Sequence, residues 1–294
     1  MSMEQSETDR RPIAVTGATG QLGRLVVAAL LDRGVAPGDI VAAVRTPAKA
    51  ADLAEQGIQV RHADYALPET LVPALEGANR VLLISGTEGD REVLHGNVVE
   101  AAKQTQPELL AYTSILNADT TTVLLAAAHQ ATERHIRASG LPYVFLRNGW
   151  YVENYTGQIE TTLAHGLAGA SGQGRFNPAG RADYAEAAVA VLTDHADATN
   201  IAYELGGDES LTMDDVAALL SEATGKTVTY TDMSDEQYAA VLVEAGLPEP
   251  FARVIADSSA AVARGELATD SGDLRRLLGR PSTPEKRVIE QAVA

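Results

Sequence analysis

Pro12-Ile-Ala-Val-Thr-Gly17-Ala-Thr-Gly20-Gln-Leu-Gly23 runs directly into an apolar helical pattern over residues 25–31. A short hydrophobic strand, a glycine-rich turn and a helix start stand in the order that a dinucleotide-binding unit requires. Gly17 permits the tight turn out of the strand. Gly20 lets the backbone approach a pyrophosphate, and Gly23 allows the helix to pack closely on the sheet. The helix N-terminus offers unpaired N–H groups and the positive end of its dipole to the phosphates. The turn residues Gly17, Ala18, Thr19, Gly20, Gln21 and Leu22 are therefore the expected cofactor contacts. An ordinary strand-to-helix turn without a ligand is the plain alternative, and the surrounding pattern disfavours it.

That pattern continues. Leu22, Leu25, Val26, Ala29 and Leu30 make a helical stripe that stops at Gly34. Apolar strands are expected at 13–16, 40–44, 58–62, 80–85, 109–114 and 143–147. Helices are expected between them at 47–56, 68–75, 93–105 and 124–139. Continuous apolar strands separated by helices predict a parallel sheet covered on both faces, a Rossmann-type doubly wound α/β fold with ligands at the carboxyl ends of the strands. Beyond Arg147 the pattern changes. Asn148-Gly-Trp-Tyr-Val-Glu-Asn-Tyr155 holds the single Trp, residues 170–180 read as a glycine-rich loop, and 183–192 return to an apolar helix. A last strand is expected at 202–205, and the segments from Thr212 onward look helical. The expected division is a dinucleotide-binding domain over 1–150 and a smaller, mainly helical substrate lobe over 151–294, with about 181–206 returning to the first.

Composition narrows the function. The 294 residues include 23 basic and 40 acidic side chains, a formal charge of −17. Nucleic acid and anionic membrane both call for basic surface, so neither is an expected partner. With no cysteine, disulfides, thiol catalysis and cysteine-ligated metals are excluded. No apolar run reaches spanning length, and the first eleven residues are polar, without a signal-peptide core. They read as a flexible leader or an expression remnant, which leads to the expectation of a cytoplasmic protein; a homodimer is the commonest assembly for such a chain.

Arg45 stands directly after the second strand, in Val44-Arg45-Thr46-Pro47-Ala48-Lys49, with no carboxylate in reach. An acidic residue at that place binds the ribose 2′-hydroxyl of NAD, whereas a basic one suits the 2′-phosphate of NADP. The guanidinium fork matches a phosphate and Lys49 adds a point charge, so NADP is preferred and NAD remains open. Asp64, after the third strand, either accepts from the adenine amino group or serves as a turn residue. Ser85, Gly86 and Thr87 end the fourth strand and leave room for ribose and diphosphate, or form a plain loop. The chain has no Tyr-x-x-x-Lys pair, no GxSxG elbow, no HExxH and no Walker lysine. The six histidines lack metal-ligand spacing, so no metal is expected, and the helix face bearing His129, Glu133 and Arg134 reads as solvated.

On these residues the chain resembles the bacterial type 2 NAD(P)H:quinone oxidoreductases, in the NmrA-like branch of the atypical short-chain dehydrogenases. The resemblance rests on Gly17-Ala-Thr-Gly-Gln-Leu-Gly23, Val44-Arg45-x-Pro-Ala-Lys49, Ala63-Asp-Tyr65, His129-x-x-Thr-Glu133, Leu146-Arg-Asn-Gly-Trp-Tyr151, Glu153-Asn-Tyr155 and Arg181-Ala-Asp-Tyr-Ala185. It implies NADPH as cofactor and a small quinone-like substrate. It places the phosphates on the glycine turn, the 2′-phosphate at Arg45 and residues 87–89 along the cofactor. It also implies that Asn148, Gly149, Trp150, Tyr151, Glu153 and Asn154 line the nicotinamide and substrate pocket. His129, Tyr151 and Arg181 are then the catalytic candidates, and His129 falls where many relatives hold a lysine.

Chemistry supports that substitution. Hydride addition to a quinone leaves a phenolate-like anion whose conjugate acid has a pKa of roughly 10. A simple ketone would leave an alkoxide, with a conjugate acid near that of water at roughly 16. A quinone can take its proton late, from solvent, without a dedicated Tyr-Lys acid. Each candidate has a structural alternative: His129 as a helix-surface residue, Trp150 and Tyr151 as lobe core, Arg181 paired with Asp183. The chain departs from the family pattern at Ala126-Ala-Ala-His129 and Gly174-Arg-Phe-Asn-Pro178, both expected near the pocket. A dinucleotide-binding redox sensor without turnover, and a tailoring enzyme acting on a polycyclic aromatic quinone, are the competing readings.

Overall fold

The computed structural model describes residues 12–194 and 199–294, so the leader expected over the first eleven lies outside it. The strands are β1 (Ile13–Thr16), β2 (Ile40–Val44), β3 (Gln59–His62), β4 (Arg80–Leu83), β5 (Leu109–Ile115), β6 (Tyr143–Asn148), β7 (Leu167–Gly169), β8 (Ile201–Leu205) and β9 (Tyr230–Asp232). The helices of the first half are α1 (Gln21–Asp32), α2 (Ala51–Glu55), α3 (Leu71–Leu75), α4 (Arg91–Thr105) and α5 (Ala126–Ser139). Those of the second are α6 (Glu153–Thr156), α7 (Ile159–His165), α8 (Arg181–Thr193), α9 (Met213–Thr224), α10 (Asp235–Glu244), α11 (Glu249–Ala263), α12 (Asp273–Leu278) and α13 (Glu285–Val293).

Seven strands form one sheet in the order β3-β2-β1-β4-β5-β6-β8. β2 and β4 both pair with β1 in parallel, and β3 and β5 extend the sheet in parallel on either side. Strand order reverses between β1 and β4, and the crevice beyond the carboxyl ends at such a switch point is where ligands bind in open α/β sheets. The Rossmann-type expectation holds. The apolar runs 40–44 and 109–115 are buried along their whole length, as two covered faces require.

The helices expected at 47–56 and 68–75 each open as a 3₁₀ turn, Pro47–Ala50 and Pro68–Thr70, with proline in the first turn. Proline fixes φ and lacks the N–H that the first turn leaves unpaired, which suits it to this place. The strands β7 and β9 pair as a small parallel sheet that sequence periodicity does not indicate. Three residues are too few to show an alternating pattern.

The chain divides into two compact units. The first runs through Ser114 and adds Ala131–Leu146 and Ala185–Tyr203. Its core packs Ala14, Val41, Val81, Leu83, Leu110 and Phe145 against Val98 and Val99 of α4 and Ile136 of α5. The second comprises Ile115–Gln130, Arg147–Tyr184 and Glu204–Ala294. Phe176, Leu211, Leu220, Val262, Leu267 and Ile289 form its core. No helix among the described residues is long and apolar enough to cross a membrane.

Candidate functional site

The expected cofactor residues of the first unit gather at the carboxyl ends of β1 to β4. Gly17 adopts a left-handed φ of +60° and its carbonyl accepts from the Gly20 amide at 2.9 Å. Gly20 caps α1 without a side-chain hydrogen bond, and the first turn of α1 carries no acidic residue. The N-terminal amides and the dipole of α1 thus remain available to an anion. Gly23 holds the turn against the helix: a Cβ there would lie 2.3 Å from the Gly17 carbonyl oxygen and 2.7 Å from the Ala18 Cα. This cradle fits a dinucleotide pyrophosphate.

Side chains tie the neighbouring strand ends together. Thr16 Oγ1 donates to the Leu82 carbonyl at 3.1 Å and accepts from the Ile84 amide at 3.1 Å. The Tyr65 hydroxyl bonds to Thr16 and donates to the Ile84 carbonyl at 2.9 Å. In the loop after β4, the Ser85 amide donates to Thr113 Oγ1 at 2.8 Å and the Gly86 amide donates to His95 Nε2 at 3.1 Å. Because Nε2 accepts, His95 is assigned as neutral with its proton on Nδ1, 3.0 Å from Thr132 Oγ1. Burial, with Arg91 nearby, pushes its pKa down to about 4. His95 thus positions the loop expected to lie along the cofactor, and sequence reading missed it. The available signal was a histidine on the apolar stripe of α4, at helical spacing from Val98, Val99 and Ala102, all buried.

Asp64 forms an Asx turn, its Oδ1 accepting from the Ala66 amide at 2.9 Å. Arg45 differs from expectation. A carboxylate is within reach: Arg45 Nη1 donates to Glu88 Oε2 at 2.8 Å, and both side chains are largely exposed. Sequence distance hid the pair, since Glu88 lies 43 residues further along the chain.

The second unit gathers the other expected set. Asn148 Nδ2 donates to the Tyr151 hydroxyl at 3.1 Å, while the buried Asn148 Oδ1 has no hydrogen-bond partner. The Arg181 guanidinium lies 4.8 Å from the centre of the Tyr151 ring. Its Nη2 reaches Asn154 Oδ1 at 3.5 Å. Glu153 accepts from the Arg181 amide at 2.8 Å, which fastens the start of α8. Tyr151 also meets the Tyr184 ring edge-on at 5.2 Å. The phenol pKa of Tyr151 is raised, chiefly by burial, so it acts as a hydroxyl rather than a phenolate. Gly149 has no room for a side chain: a Cβ would sit 2.9 Å from the Leu205 carbonyl oxygen and 3.0 Å from the Tyr184 hydroxyl. Trp150 packs on the second core while remaining partly exposed.

Arg147, beside this set, is almost fully buried and holds two carboxylates, Glu204 and Asp119, each at 2.7 Å. Arg181 and Asp183 do not pair with each other: Asp183 bonds to Arg280 at 2.9 Å and to the Thr283 amide at 2.6 Å. Of the α5 residues that read as solvated, Arg134 is exposed, but His129 and Glu133 are buried, at 6% and 1% exposure. Glu133 accepts from Ser114 Oγ at 2.6 Å and pairs with Arg137. Periodicity assigns charged residues outward, and these interior partners override it.

The NAD(P)H-binding family model matches residues 17–195. Quinone oxidoreductase 2 of Escherichia coli (strain K12) is 45% identical over 273 residues, 92% of this chain and 95% of that protein. The crystal structure of an Escherichia coli NADPH-dependent quinone oxidoreductase complexed with NADPH superposes with a TM-score of 0.91 at 44% identity, covering 96% of this chain and 100% of that one. The Citrobacter sp. triphenylmethane reductase complexed with NADP(H) superposes at 0.88 with 41% identity, over 95% of this chain and 99% of its own.

Proposed function

The chain belongs to the NAD(P)H-binding family and, within it, to the type 2 quinone oxidoreductases; from that membership we propose that it is an NADPH-dependent oxidoreductase reducing quinones or similar electron-poor conjugated rings. The observation that carries the reading is the match to a quinone oxidoreductase over 92% of the chain. The glycine cradle at the bare N-terminus of α1 supports it independently. When bound, the dinucleotide would supply the hydride that reduces the quinone. Residues 1–150 serve as the dinucleotide domain and 151–294 as the substrate lobe, with about 181–206 returning.

Each residue then has a physical task. The α1 amides and dipole hold the pyrophosphate, and the Arg45 fork holds the 2′-phosphate. Ser85, Gly86 and Thr87 border the ribose and diphosphate. Arg181, spread over the Tyr151 ring, offers a cation to the oxygen that gains charge, and the Tyr151 hydroxyl offers a hydrogen bond. Asn148 orients that hydroxyl. His129, fixed by its burial, is a second candidate for stabilising the anion. The proton arrives from solvent, because a phenolate needs no strong acid to leave the enzyme as the hydroquinone.

The test is stopped-flow oxidation of NADPH with a panel of benzoquinones, naphthoquinones and polycyclic quinones. Saturable turnover is expected. NADPH binding without oxidation by any of them would favour the redox-sensor reading and overturn this one.

A further inference from the structure

Strand order gives the Arg45–Glu88 pair its meaning. Arg45 follows β2 and Glu88 lies in the loop after β4, while β1 runs between β2 and β4. The two side chains therefore meet across the carboxyl end of β1, where the glycine turn begins. Adjacent strands lie about 4.8 Å apart, so the pair bridges two strand spacings. Its 2.8 Å contact engages Nη1 of the same guanidinium that would hold a 2′-phosphate.

We infer that Glu88 is a specificity-determining residue that competes with the 2′-phosphate of NADPH for Arg45. This rests on the NADPH reading above and deepens it. A guanidinium edge that grips the Glu88 carboxylate cannot at once grip a phosphate with the same donors. A phosphate near −2 in charge outbids a carboxylate of −1, so NADPH displaces Glu88. NADH carries no 2′-phosphate and leaves the pair closed. Glu88 therefore lowers the affinity for NADPH without touching that for NADH, and so narrows the enzyme's preference between them. The pair's own chemistry agrees: contact with Arg45 lowers the pKa of Glu88, and contact with Glu88 raises that of Arg45. Glu88 thus stays ionised and competitive at neutral pH.

Both residues are exposed, so substitution leaves the fold intact and the effect is readable as affinity. The test is calorimetric titration of wild type, Glu88→Gln, Arg45→Ala and the double variant with NADPH and NADH. The same proteins are titrated with 2′,5′-ADP and 5′-ADP as fragment probes. Glu88→Gln is expected to bind NADPH and 2′,5′-ADP about fivefold more tightly, the size an exposed ion pair permits once the repulsion of a dianion is added. NADH and 5′-ADP are unchanged. In the Arg45→Ala background the gain vanishes. An unchanged NADPH affinity in Glu88→Gln, an equal gain for NADH, or a gain that persists without Arg45 would each overturn the inference. If wild type bound NADPH and only the Glu88 arm failed, the NADPH reading would stand alone; if wild type bound no dinucleotide, both would fall.

Discussion

The strand ends of the first unit and the interior of the second bury polar groups in opposite ways, although elsewhere the first unit also buries Glu133 against Arg137. At the strand ends of the first, Thr16, Tyr65, Thr113 and a neutral His95 engage backbone groups and one another. Uncharged groups hold the start of the β4 loop, at Ser85 and Gly86. The second unit buries charge: Arg147 between Glu204 and Asp119, and Asp183 against Arg280. It also buries the Glu285 carboxyl, 1% exposed at the start of α13. Burial first, with Glu209 and Asp183 adding to it, pushes the pKa of Glu285 up to about 8. A neutral, bonded network keeps its groups uncharged in the folded state near neutral pH. A charge-rich interior is tied to protonation and yields when one partner is lost.

Gly23→Ala should break the comparison on its firmest side. A methyl 2.3 Å from the Gly17 oxygen has no flexible side chain to displace, only backbone. Overpacking of this kind costs about 3 kcal/mol, and the shifted turn should raise the Kd for NADPH by about a hundredfold or more. Chemical unfolding and titration would measure both.

Glu285 and His95 give opposite pH slopes. Glu285 ionises near 4.5 when unfolded and near 8 when folded. The folded state holds more protons in that window, so stability falls as pH rises from 4.5 to 8, by an amount on the order of 5 kcal/mol. Glu285→Gln should abolish that fall and be more stable than wild type at pH 8, read from urea midpoints. His95 titrates near 6.5 unfolded and near 4 folded. Here the unfolded state holds more protons, so stability rises from pH 4 to 6.5, by roughly 3 kcal/mol. His95→Gln should flatten that limb. In wild type the two slopes partly offset each other between 4.5 and 6.5, and Glu285→Gln should expose the His95 rise. Both slopes surviving both substitutions would remove the contrast between the units.

The smallest expected effect is at the surface of the aromatic cluster. Arg181→Ala removes a cation 4.8 Å from the Tyr151 ring. An exposed cation–π contact contributes about 1 kcal/mol, so the KM for quinone should rise about fivefold while the Kd for NADPH stays put. Equal changes in both would remove Arg181 from the substrate side.

What the sequence disclosed follows the same contrast. The glycine turn was legible because its demands are local: Gly23 abuts a residue six positions before it. The succession of strands and helices along the chain followed from apolar runs and their punctuation, whereas the order of the strands within the sheet did not. The crowding of polar and aromatic residues in one short segment pointed to Asn148, Tyr151 and Asn154, whereas Arg181, 26 residues beyond that segment, was reached only through the family resemblance. Partners were not legible. Glu88 meets Arg45 across 43 residues, Arg147 meets Glu204 across 57, and Asp183 meets Thr283 across 100. Periodicity reports which way a residue faces, and nothing in it names the group that awaits there. For the same reason Glu133 of α5 reads as solvated when it is buried against Ser114 and Arg137.

Hydride transfer from NADPH to a quinone is the step on which the oxidoreductase reading stands. Single-turnover oxidation of NADPH deuterated at nicotinamide C4, mixed with a naphthoquinone, tests it most directly. Rapid oxidation is expected, slowing severalfold when the label sits on one face of the ring and not when it sits on the other. Oxidation that is absent, or equally fast with either face labelled while chemistry limits the rate, would contradict it.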